Sequence, residues 1–312
     1  MKHLFLFITL CFVQCSAPLL EALTVEEVPI IPYKKNKPTG KGEVAVCAIF
    51  NNEASYLKEW IEYHRIVGVS HFFLYNNSSS DHYLAVLKPY IADGIIELYD
   101  VPIDCEQFVD GPISFNFVQT CCYNHAINLA KKHYKWIAVI DSDEFIFPVS
   151  SVTLTECLRK YDRVSGLIVF WQIYGTSDVW ELKPGELMLE KLLYKFPTNY
   201  RENWLFKSIV RPEHAVCQDQ HWTKTPSQVY PNRVRFTHFP NFKELPIDQI
   251  RINHYSFRTG SFFENVKKKR YQRWGYNWSD EEQRERMNLA NSVYDPVMLK
   301  FMPALRKKVF KD

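Results

Sequence analysis

Residues Trp136 to Phe147 read WIAVIDSDEFIF, an apolar run that carries three carboxylates within four positions. The segment Trp136–Ile140 is short, rich in β-branched and aromatic residues and directly followed by acids, so it predicts a buried β-strand. This strand would end in Asp141, Asp143 and Glu144. Because side chains alternate along a strand, we expect Asp141 and Asp143 to point toward the same face of the sheet.

Paired carboxylates at the end of a buried strand indicate a metal site. Two such groups on one face repel each other and are costly to desolvate unless a cation lies between them. Hard oxygen ligands in this arrangement suit Mg²⁺ or Mn²⁺, which are usually shared with substrate phosphates. Acidic pairs also occur at strand ends as solvated turn residues, but the apolar residues on both sides of Asp141 and Asp143 favour the metal site.

Strands and helices alternate regularly through the first half of the chain. This order predicts an α/β fold with a mostly parallel sheet, helices on both faces and right-handed crossovers. In such sheets ligands bind beyond the carboxyl ends of the strands, which is where Asn51, Asn76 and Asp141 fall. The predicted strands are Val44–Phe50, His71–Tyr75, Ile95–Tyr99 and Trp136–Ile140, and the predicted helices are Glu53–Val67, Asp81–Tyr90 and Phe117–His133.

After Pro148 the pattern changes to short aromatic runs separated by turns, which predicts an antiparallel extension that shapes a pocket. The runs are Gly166–Tyr174, Trp204–Arg211 and Arg233–Phe239. A helix from about Ser261 to Tyr271 follows, and the last forty residues are charged and helical in composition.

The composition excludes one broad class of function. The 312 residues are 46% hydrophobic, enough for one domain of about 250 residues with appendages. The 38 basic and 35 acidic residues give a net charge of +3, without the basic excess that nucleic-acid binding requires. The run Lys267-Lys268-Lys269-Arg270 is a local exception, and such runs are more often a solvated helix face.

The N-terminus is typical of an exported protein. A basic start is followed by the apolar run Leu4–Val13, which has the length of a signal-peptide core and is too short to span a bilayer comfortably. We therefore expect a signal peptide or short membrane anchor at 1–17, a linker at 18–42, a catalytic domain at 43–275 and a C-terminal helical extension at 276–312. The expected location is the secretory pathway or a membrane, or the secreted fraction or cell envelope of a bacterium.

Several separated segments together resemble one enzyme family. The segments are CAIFNNEASYLKEWIEYHRIVGVSHFFLYNNSSSD from Cys47, VLKPYIADGIIELYD from Val86, WIAVIDSDEFIF, FKSIVRPEH from Phe206 and INHYSFRTGSFFENVKKK from Ile252. In order and spacing they resemble glycosyltransferase family 92, a group within the family 2-like enzymes that have the GT-A fold. The resemblance covers about residues 43 to 270.

This resemblance implies transfer of a sugar from a nucleotide donor, a UDP-sugar, to a hydroxyl of a glycan or other acceptor. A divalent ion, Mn²⁺ or Mg²⁺, would hold the donor diphosphate on Asp143 and stabilise the charge that develops as the glycosidic bond breaks. Asp141 would assist the metal or bind the ribose. The resemblance also implies a histidine ligand, and His254 occupies the matching motif, although a hydrogen-bonded histidine in an aromatic pocket is equally open. His221 is a second candidate for the pocket.

Polar side chains at the strand-to-helix turns are candidates for binding the nucleotide. Asn51, Glu53 and Asn76 could hydrogen-bond a nucleobase or ribose, and side chains at such turns can equally cap a helix. Asn76 also begins overlapping N-glycosylation sequons, and another lies at Asn277. A glycan at Asn76 would obstruct the proposed donor edge.

The family resemblance also implies inversion at the anomeric carbon, which requires a carboxylate to take the acceptor proton. Glu144, Glu213 and Asp219 are the candidates, and Glu144 could instead bind acceptor hydroxyls. Aromatic residues could supply stacking surface for sugars, although core packing is their more common use. They are Trp171, Tyr174, Trp180, Trp204 and Trp222.

Two other functions remain open at this stage. A glycoside hydrolase would need two carboxylates about 5–10 Å apart across a cleft. Asp141 and Asp143 on one strand face suit a metal better. The second alternative is a catalytically silent carbohydrate-binding protein with the same fold.

Overall fold

The computed structural model describes residues 28–37, 40–103, 114–237, 242–273 and 275–310. The first half alternates strands and helices, and every predicted element is present within three residues of its predicted ends. The elements are β1 (Ile31–Pro32), β2 (Gly42–Phe50), α1 (Ala54–Ile66), β3 (His71–Asn76), α2 (Tyr83–Ala92), β4 (Ile96–Asp100), α3 (Phe115–Ala130) and β5 (Tyr134–Val139).

The second half of the fold begins at Glu144, the last of the three acids. Its strands and helices are β6 (Glu144–Pro148), α4 (Leu154–Arg159), β7 (Gly166–Ile173), α5 (Met188–Lys191), β8 (Tyr194–Lys195), β9 (Phe206–Val210), β10 (Val216–Cys217), β11 (Thr223–Lys224), β12 (Gln228–Val229) and β13 (Ile250–His254). Short 3₁₀ helices lie at Arg201–Trp204 and Pro212–His214.

The C-terminal part is mostly helical. It contains α6 (Gly260–Phe262), a π-helical turn (Phe263–Lys267), α7 (Lys268–Arg273), α8 (Asp280–Ala290), β14 (Val293–Tyr294), a 3₁₀ helix (Val297–Phe301) and α9 (Met302–Val309). Helix α8 begins with a capping box, in which Ser279 and Glu282 each accept the other's backbone N–H.

The central sheet has the strand order β1-β4-β3-β2-β5-β9-β7-β13-β6. Strands β4, β3, β2 and β5 are parallel to one another, whereas β9 is antiparallel to both β5 and β7. Strand β13 runs parallel to β7 and antiparallel to β6. The α/β class is confirmed, with a parallel first half and mixed pairing in the second.

The alternation of side chains along β2 divides the interior into two cores. Val44, Val46 and Ala48 face the larger cluster that includes α1 residues such as Trp60, while Ala45 and Cys47 belong to a separate cluster. The second cluster includes α3 residues. Because both faces of the strand are covered, β2 reads as a continuous apolar run rather than as alternating polar and apolar residues.

Part of the predicted linker belongs to the sheet. Ile31 and Pro32 pair with Asp100 and Tyr99 of β4, and the Tyr33 N–H donates to the Leu98 carbonyl over 2.9 Å. Proline suits this position because an edge strand does not need every backbone N–H. The predicted signal segment at 1–17 lies outside the described residues, and none of the described helices is long and apolar enough to cross a membrane.

One further prediction needs correction. The predicted strand Arg233–Phe239 is reduced to one bridge between Val229 and Arg235, with residues 238 and 239 outside the described ranges. Arg233 has a φ of 66°, in the left-handed region, which interrupts an extended run there. Cys47, Cys121, Cys157 and Cys217 are buried free thiols.

The predicted C-terminal extension contributes to the main core. Leu305 and Met302 of α9 are buried in the same cluster as Trp60, and Phe301 packs edge-to-face on Tyr63 at 5.2 Å between ring centroids. The folded domain therefore continues past residue 275, and α9 closes the core on the side of α1.

Leu305→Ala should lower the free energy of unfolding by about 3 kcal/mol, because it opens a cavity beside α1. Urea unfolding measures the change. Phe310→Ala, at a largely exposed apolar side chain one residue beyond α9, is the control and should cost less than about 0.5 kcal/mol. Equal, small effects of both substitutions would show that α9 is a peripheral appendage after all.

Candidate active site

The acids of the WIAVIDSDEFIF run lie in a tight turn between β5 and β6. Strand β5 ends at Val139, so Asp141 and Asp143 are turn residues and do not share a strand face as predicted. Asp141 contacts side chains of α3 and β9, whereas Asp143 contacts β13. The turn lies at the carboxyl end of the parallel strands, the edge that the sequence predicted.

Three donors surround the carboxylate of Asp141. Its Oδ1 accepts hydrogen bonds from Gln119 Nε2 at 2.7 Å and from the Tyr123 hydroxyl at 3.0 Å. Its Oδ2 forms an ion pair with Lys207 Nζ at 2.9 Å. Burial raises the pKa of Asp141. The charge and hydrogen bond of Lys207, together with the charge of His254, bring that pKa below its ordinary value.

Lys207 is a buried cation that the sequence analysis did not single out. Its side chain is 1% exposed, and its ammonium also donates to the Gln220 carbonyl at 2.8 Å. Burial opposes its charge, yet the carboxylate of Asp141 keeps the pKa of Lys207 above its ordinary value. A lysine inside the apolar strand FKSIV was the available signal, because an unpaired charge is rarely buried there.

Asp143 faces His254, as both interpretations of this histidine allow, a metal ligand or a hydrogen-bonded histidine in an aromatic pocket. The Oδ1 atom of Asp143 lies 3.3 Å from His254 Nε2. Strand pairing fixes this approach, since His254 is in register with Glu144 of β6 and the Tyr255 N–H donates to the Asp143 carbonyl at 2.9 Å. Burial raises the pKa of Asp143. The charge and hydrogen bond of His254, together with the charges of Lys267 and Arg258, lower it far below its ordinary value.

The surroundings of His254 are aromatic and hold its other ring nitrogen away from solvent. The indole of Trp171 is 4.3 Å away between ring centroids. His254 Nδ1 is buried and has no hydrogen-bond partner among the described residues. The imidazole is thus oriented by packing and by its carboxylate neighbour, and its Nε2 is the atom that faces Asp143.

The side chain of Glu144 lies in the interior of the protein, whereas the sequence analysis expected it at the acceptor. Its side chain is fully buried, and its Oε2 accepts the backbone N–H of Asp141 at 3.0 Å, which closes the acidic turn. Burial raises the pKa of Glu144 well above its ordinary value. The carboxyl group of Glu144 has no exposed surface, so its predicted catalytic role would require the turn to open.

Glu53 and Arg258 form a buried ion pair beside the same site. The guanidinium lies over the rings of Tyr56 and Phe262, at 4.0 and 4.6 Å from their centroids. Burial raises the pKa of Glu53, and the charge of Arg258 opposes this increase. The carboxylate of Asp143 also raises the pKa of Glu53. The charges of Asp143 and Arg258 therefore both act on Glu53.

Asn51 and Asn76 help to build the loops at the strand ends. Asn51 Nδ2 donates to the Asn77 carbonyl at 2.6 Å. The amide of Asn76 donates to Tyr83 and to Asp100, each at 2.9 Å. Asn76 and Asn77 are buried, so the folded chain leaves no room for a glycan on either side chain. These predicted nucleotide-binding asparagines are therefore held by contacts within the protein.

His221 and Asp219 lie in one loop beside the site, whereas Glu213 is exposed to solvent. His221 lies against the indole of Trp171, and burial together with the charge of Lys207 lowers its pKa to about 4. Asp219 Oδ1 accepts the backbone N–H groups of His221 and Trp222, at 2.7 and 2.8 Å. Glu213 is exposed on the 3₁₀ helix that follows β9.

The predicted stacking residues are mostly part of the interior. Trp171 and Tyr174 are buried, and the ring of Tyr174 stacks on Tyr255 at 4.5 Å. Trp204 and Trp222 are partly buried against a smaller apolar cluster that includes Phe170, Phe206 and Tyr230. Trp180 is 63% exposed and is the member of this set that offers open surface to a sugar.

One protein-family model matches most of the chain. The model described as Glycosyltransferase family 92 matches residues 42–301. The chain belongs to glycosyltransferase family 92. The family resemblance seen in the sequence is therefore confirmed, and the match continues past the predicted domain end at residue 275.

Plant proteins of the same family are similar over different lengths. A family 92 protein of Oryza sativa subsp. japonica is 25% identical over 266 residues, covering 81% of this chain and 40% of the rice protein. One from Arabidopsis thaliana is 31% identical over 117 residues, covering 36% of this chain and 18% of that protein. The chain thus spans about two fifths of the length of the rice relative.

Two solved structures are similar to this chain at lower sequence identity. S. aureus TarS 1-349 in complex with UDP-GlcNAc has a TM-score of 0.34 and 12% identity, covering 55% of this family 92 chain and 45% of TarS. Glucosyl-3-phosphoglycerate synthase from Mycobacterium tuberculosis in complex with Mn²⁺, UDP and glucosyl-3-phosphoglycerate has a TM-score of 0.30 and 13% identity, covering 55% and 57% of the two chains.

Lys207→Met should lower the free energy of unfolding by about 3 kcal/mol, because it leaves the carboxylate of Asp141 without its counter-charge. The double variant Lys207→Met/Asp141→Asn should regain part of this loss. A double-mutant cycle by urea unfolding measures the coupling. Additive effects of the two substitutions would mean that the ion pair contributes nothing specific to this site.

Proposed function

We propose that this family 92 chain transfers a sugar from a nucleotide-sugar donor, a UDP-sugar, to a hydroxyl group of a glycan or glycoconjugate. We further propose that transfer requires a divalent ion, Mn²⁺ or Mg²⁺, and inverts the configuration at the anomeric carbon. Membership of a glycosyltransferase family supports the reaction class.

The observation that supports the metal site best is the approach of Asp143 and His254. A carboxylate oxygen and an imidazole nitrogen 3.3 Å apart can supply two ligands to one cation at the sheet edge where ligands of α/β proteins bind. The described residues contain no group of three or more His, Cys, Asp or Glu side chains arranged to hold a metal. The pair therefore fits an ion that takes its other ligands from donor phosphates and water, as Mg²⁺ usually does.

The two aspartates would then have different roles. Asp143 would hold the ion with His254. Asp141, whose oxygens already accept from Gln119, Tyr123 and Lys207, would keep the turn in place and offer its one remaining acceptor position to the donor. When bound, the ion would offset the charge that develops on the departing diphosphate. Lys207 would neutralise one carboxylate, so that the acidic turn does not repel an anionic donor.

Asp219 is our proposed base for the acceptor. Of the three candidate carboxylates, Glu144 is fully buried and Glu213 lies on an exposed 3₁₀ helix. Asp219 belongs to the loop whose Gln220 carbonyl accepts from Lys207 and whose His221 packs on Trp171. This loop therefore contacts both the Asp141 side and the His254 side of the site.

Donor binding tests the proposal directly. Thermal melts of the full chain with UDP- and GDP-sugars, each with and without Mn²⁺, should show a rise in melting temperature for at least one donor only with the metal, because binding to the native state stabilises it. Release of UDP on addition of acceptors then distinguishes a transferase from a silent binding protein. A protein that binds glycans but leaves every donor intact would refute the proposed activity.

Asp143→Asn and His254→Gln should each lower the metal-dependent transfer rate, by roughly 100-fold or more for Asp143→Asn. The His254 variant should regain activity at higher Mn²⁺ concentration, because it loses one of two ligands. Initial rates across a Mn²⁺ titration measure both effects. Asp162→Asn, which removes an exposed ion-paired aspartate, is the control. Wild-type metal dependence in both site variants would remove this pair from the metal site.

We also propose that the protein acts in the secretory pathway or at a membrane. This proposal rests on the basic start and apolar run of residues 1–17, which are outside the described structure. Cell fractionation of the full-length protein and N-terminal sequencing of its mature form test it. A cytosolic protein with an intact N-terminus would contradict the export prediction.

A further inference from the structure

We propose that a cavity beside Trp180 binds one pyranose ring of the acceptor glycan. This inference rests on the proposed function and deepens it, because it gives the acceptor sugar a place and a side chain on which to stack. The sequence analysis named Trp180 only as one of several aromatic residues that could contact a sugar. Its position in the sheet, the glycine that supports it and the polar groups around it distinguish it from the others.

The cavity lies at the same edge of the sheet as the acidic turn. Strands β5, β7 and β13 run in the same direction, so all three end at this edge. The loop after β7 carries Trp180, and the segment after β13 carries Gly260, six residues beyond His254. The Gly260 N–H donates to the Val179 carbonyl at 2.8 Å, and the Ser261 N–H donates to the Trp180 carbonyl at 2.9 Å. Backbone hydrogen bonds thus join the two segments that form the cavity.

Gly260 leaves room for the indole of Trp180. A Cβ atom at position 260 would lie 2.8 Å from Cε3 and 3.3 Å from Cζ3 of the ring, so a larger residue would push the indole away. The ring is held against this backbone, yet 63% of Trp180 remains exposed. Among the described residues, no other aromatic ring stacks on it and no cation lies over it. A fixed and uncovered aromatic surface matches the apolar C–H face of a pyranose.

Polar side chains line the rest of the cavity, whose volume is about 240 Å³. Glu264 accepts hydrogen bonds from Gln283 at 2.5 Å and from Lys268 at 3.1 Å. Arg284 is exposed, and its side chain forms no hydrogen bond or ion pair with another described residue. A carboxylate, an amide and a guanidinium beside an aromatic ring supply donors and acceptors for sugar hydroxyls. The volume suits one sugar ring, since pockets for drug-sized ligands are larger, about 300–1,000 Å³.

Phe310 provides a control because it is also a large exposed aromatic residue. Its side chain is 44% exposed, but the guanidinium of Arg306 lies 5.3 Å from its ring centroid and it does not line this cavity. Single exposed apolar side chains are common on protein surfaces. If Trp180 is only one of these, substitution of Trp180 and of Phe310 should affect sugar binding equally little.

The first experiment follows the indole ¹⁵Nε1–¹Hε1 resonance of Trp180 in the full chain, assigned from its absence in Trp180→Phe. The probes are the methyl β-pyranosides of glucose, galactose and N-acetylglucosamine, with mannitol as an open-chain polyol that has hydroxyl groups but no ring face. At least one glycoside should shift this resonance, whereas mannitol should not. Failure of all three glycosides to shift it would overturn the inference.

The second experiment measures the dissociation constant of the glycoside that binds. Trp180→Ala should weaken binding roughly 10-fold or more, because the stacking surface is lost, and Phe310→Ala should leave it unchanged. Gly260→Ala should also weaken binding by displacing the indole, but should add nothing in the Trp180→Ala background. Thermal melts of each variant report folding. Equal effects at Trp180 and Phe310, or additive effects at Trp180 and Gly260, would contradict the proposed stacking site.

Donor assays separate this inference from the proposed function. Binding of UDP-sugars in Mn²⁺ should be the same in Trp180→Ala as in the wild-type chain, because the cavity does not include the acidic turn. Turnover of a UDP-sugar by a chain that binds no glycoside at Trp180 would overturn this inference alone. A chain that binds a glycoside at Trp180 but leaves every UDP-sugar intact would instead overturn the proposed transfer reaction.

Discussion

The organisation of the site depends on balancing buried negative charge at one edge of the sheet. Asp141, Asp143, Glu144 and Glu53 lie on or beside the same turn, and each would be costly to desolvate without compensation. Lys207 compensates Asp141, His254 faces Asp143, and Arg258 pairs with Glu53. Glu144 avoids the cost differently, since burial favours its protonated form.

The mixed topology of the sheet provides these partners. Antiparallel β9 lies beside β5 with Ser208 opposite Val139, which brings the neighbouring Lys207 next to the acidic turn. Strand β13 is inserted between β6 and β7, with His254 opposite Glu144 and Ile173. In a purely parallel sheet the strand beside β5 would run in the same direction as β5, whereas β9 runs in the opposite direction. The change of direction at β9 is thus the feature that supplies a cation to the carboxyl end of β5.

The resulting site is electrostatically asymmetric. Asp141 accepts from donors of α3 and β9, whereas Asp143 approaches an imidazole whose other nitrogen is unpartnered among the described residues. A D-x-D pattern therefore does not imply two equivalent ligands, because the surrounding charges decide which carboxylate remains available. The arginines also differ: both Nη atoms of Arg286 bind Glu202, while Nη1 of Arg258 is buried without a hydrogen-bond partner among the described residues.

The parallel half of the sheet, the place of the acids and the family could be predicted from the sequence. Those features follow from local periodicity and from motifs such as WIAVIDSDEFIF, in which neighbouring residues carry the information. The pairing of Asp141 with Lys207, the burial of Glu144 and the inclusion of β1 and α9 in the domain became visible only in the folded chain. These outcomes depend on which distant strands pair and in which direction, and the free energy of burying a charge beside its partner is fixed only when those strands are together.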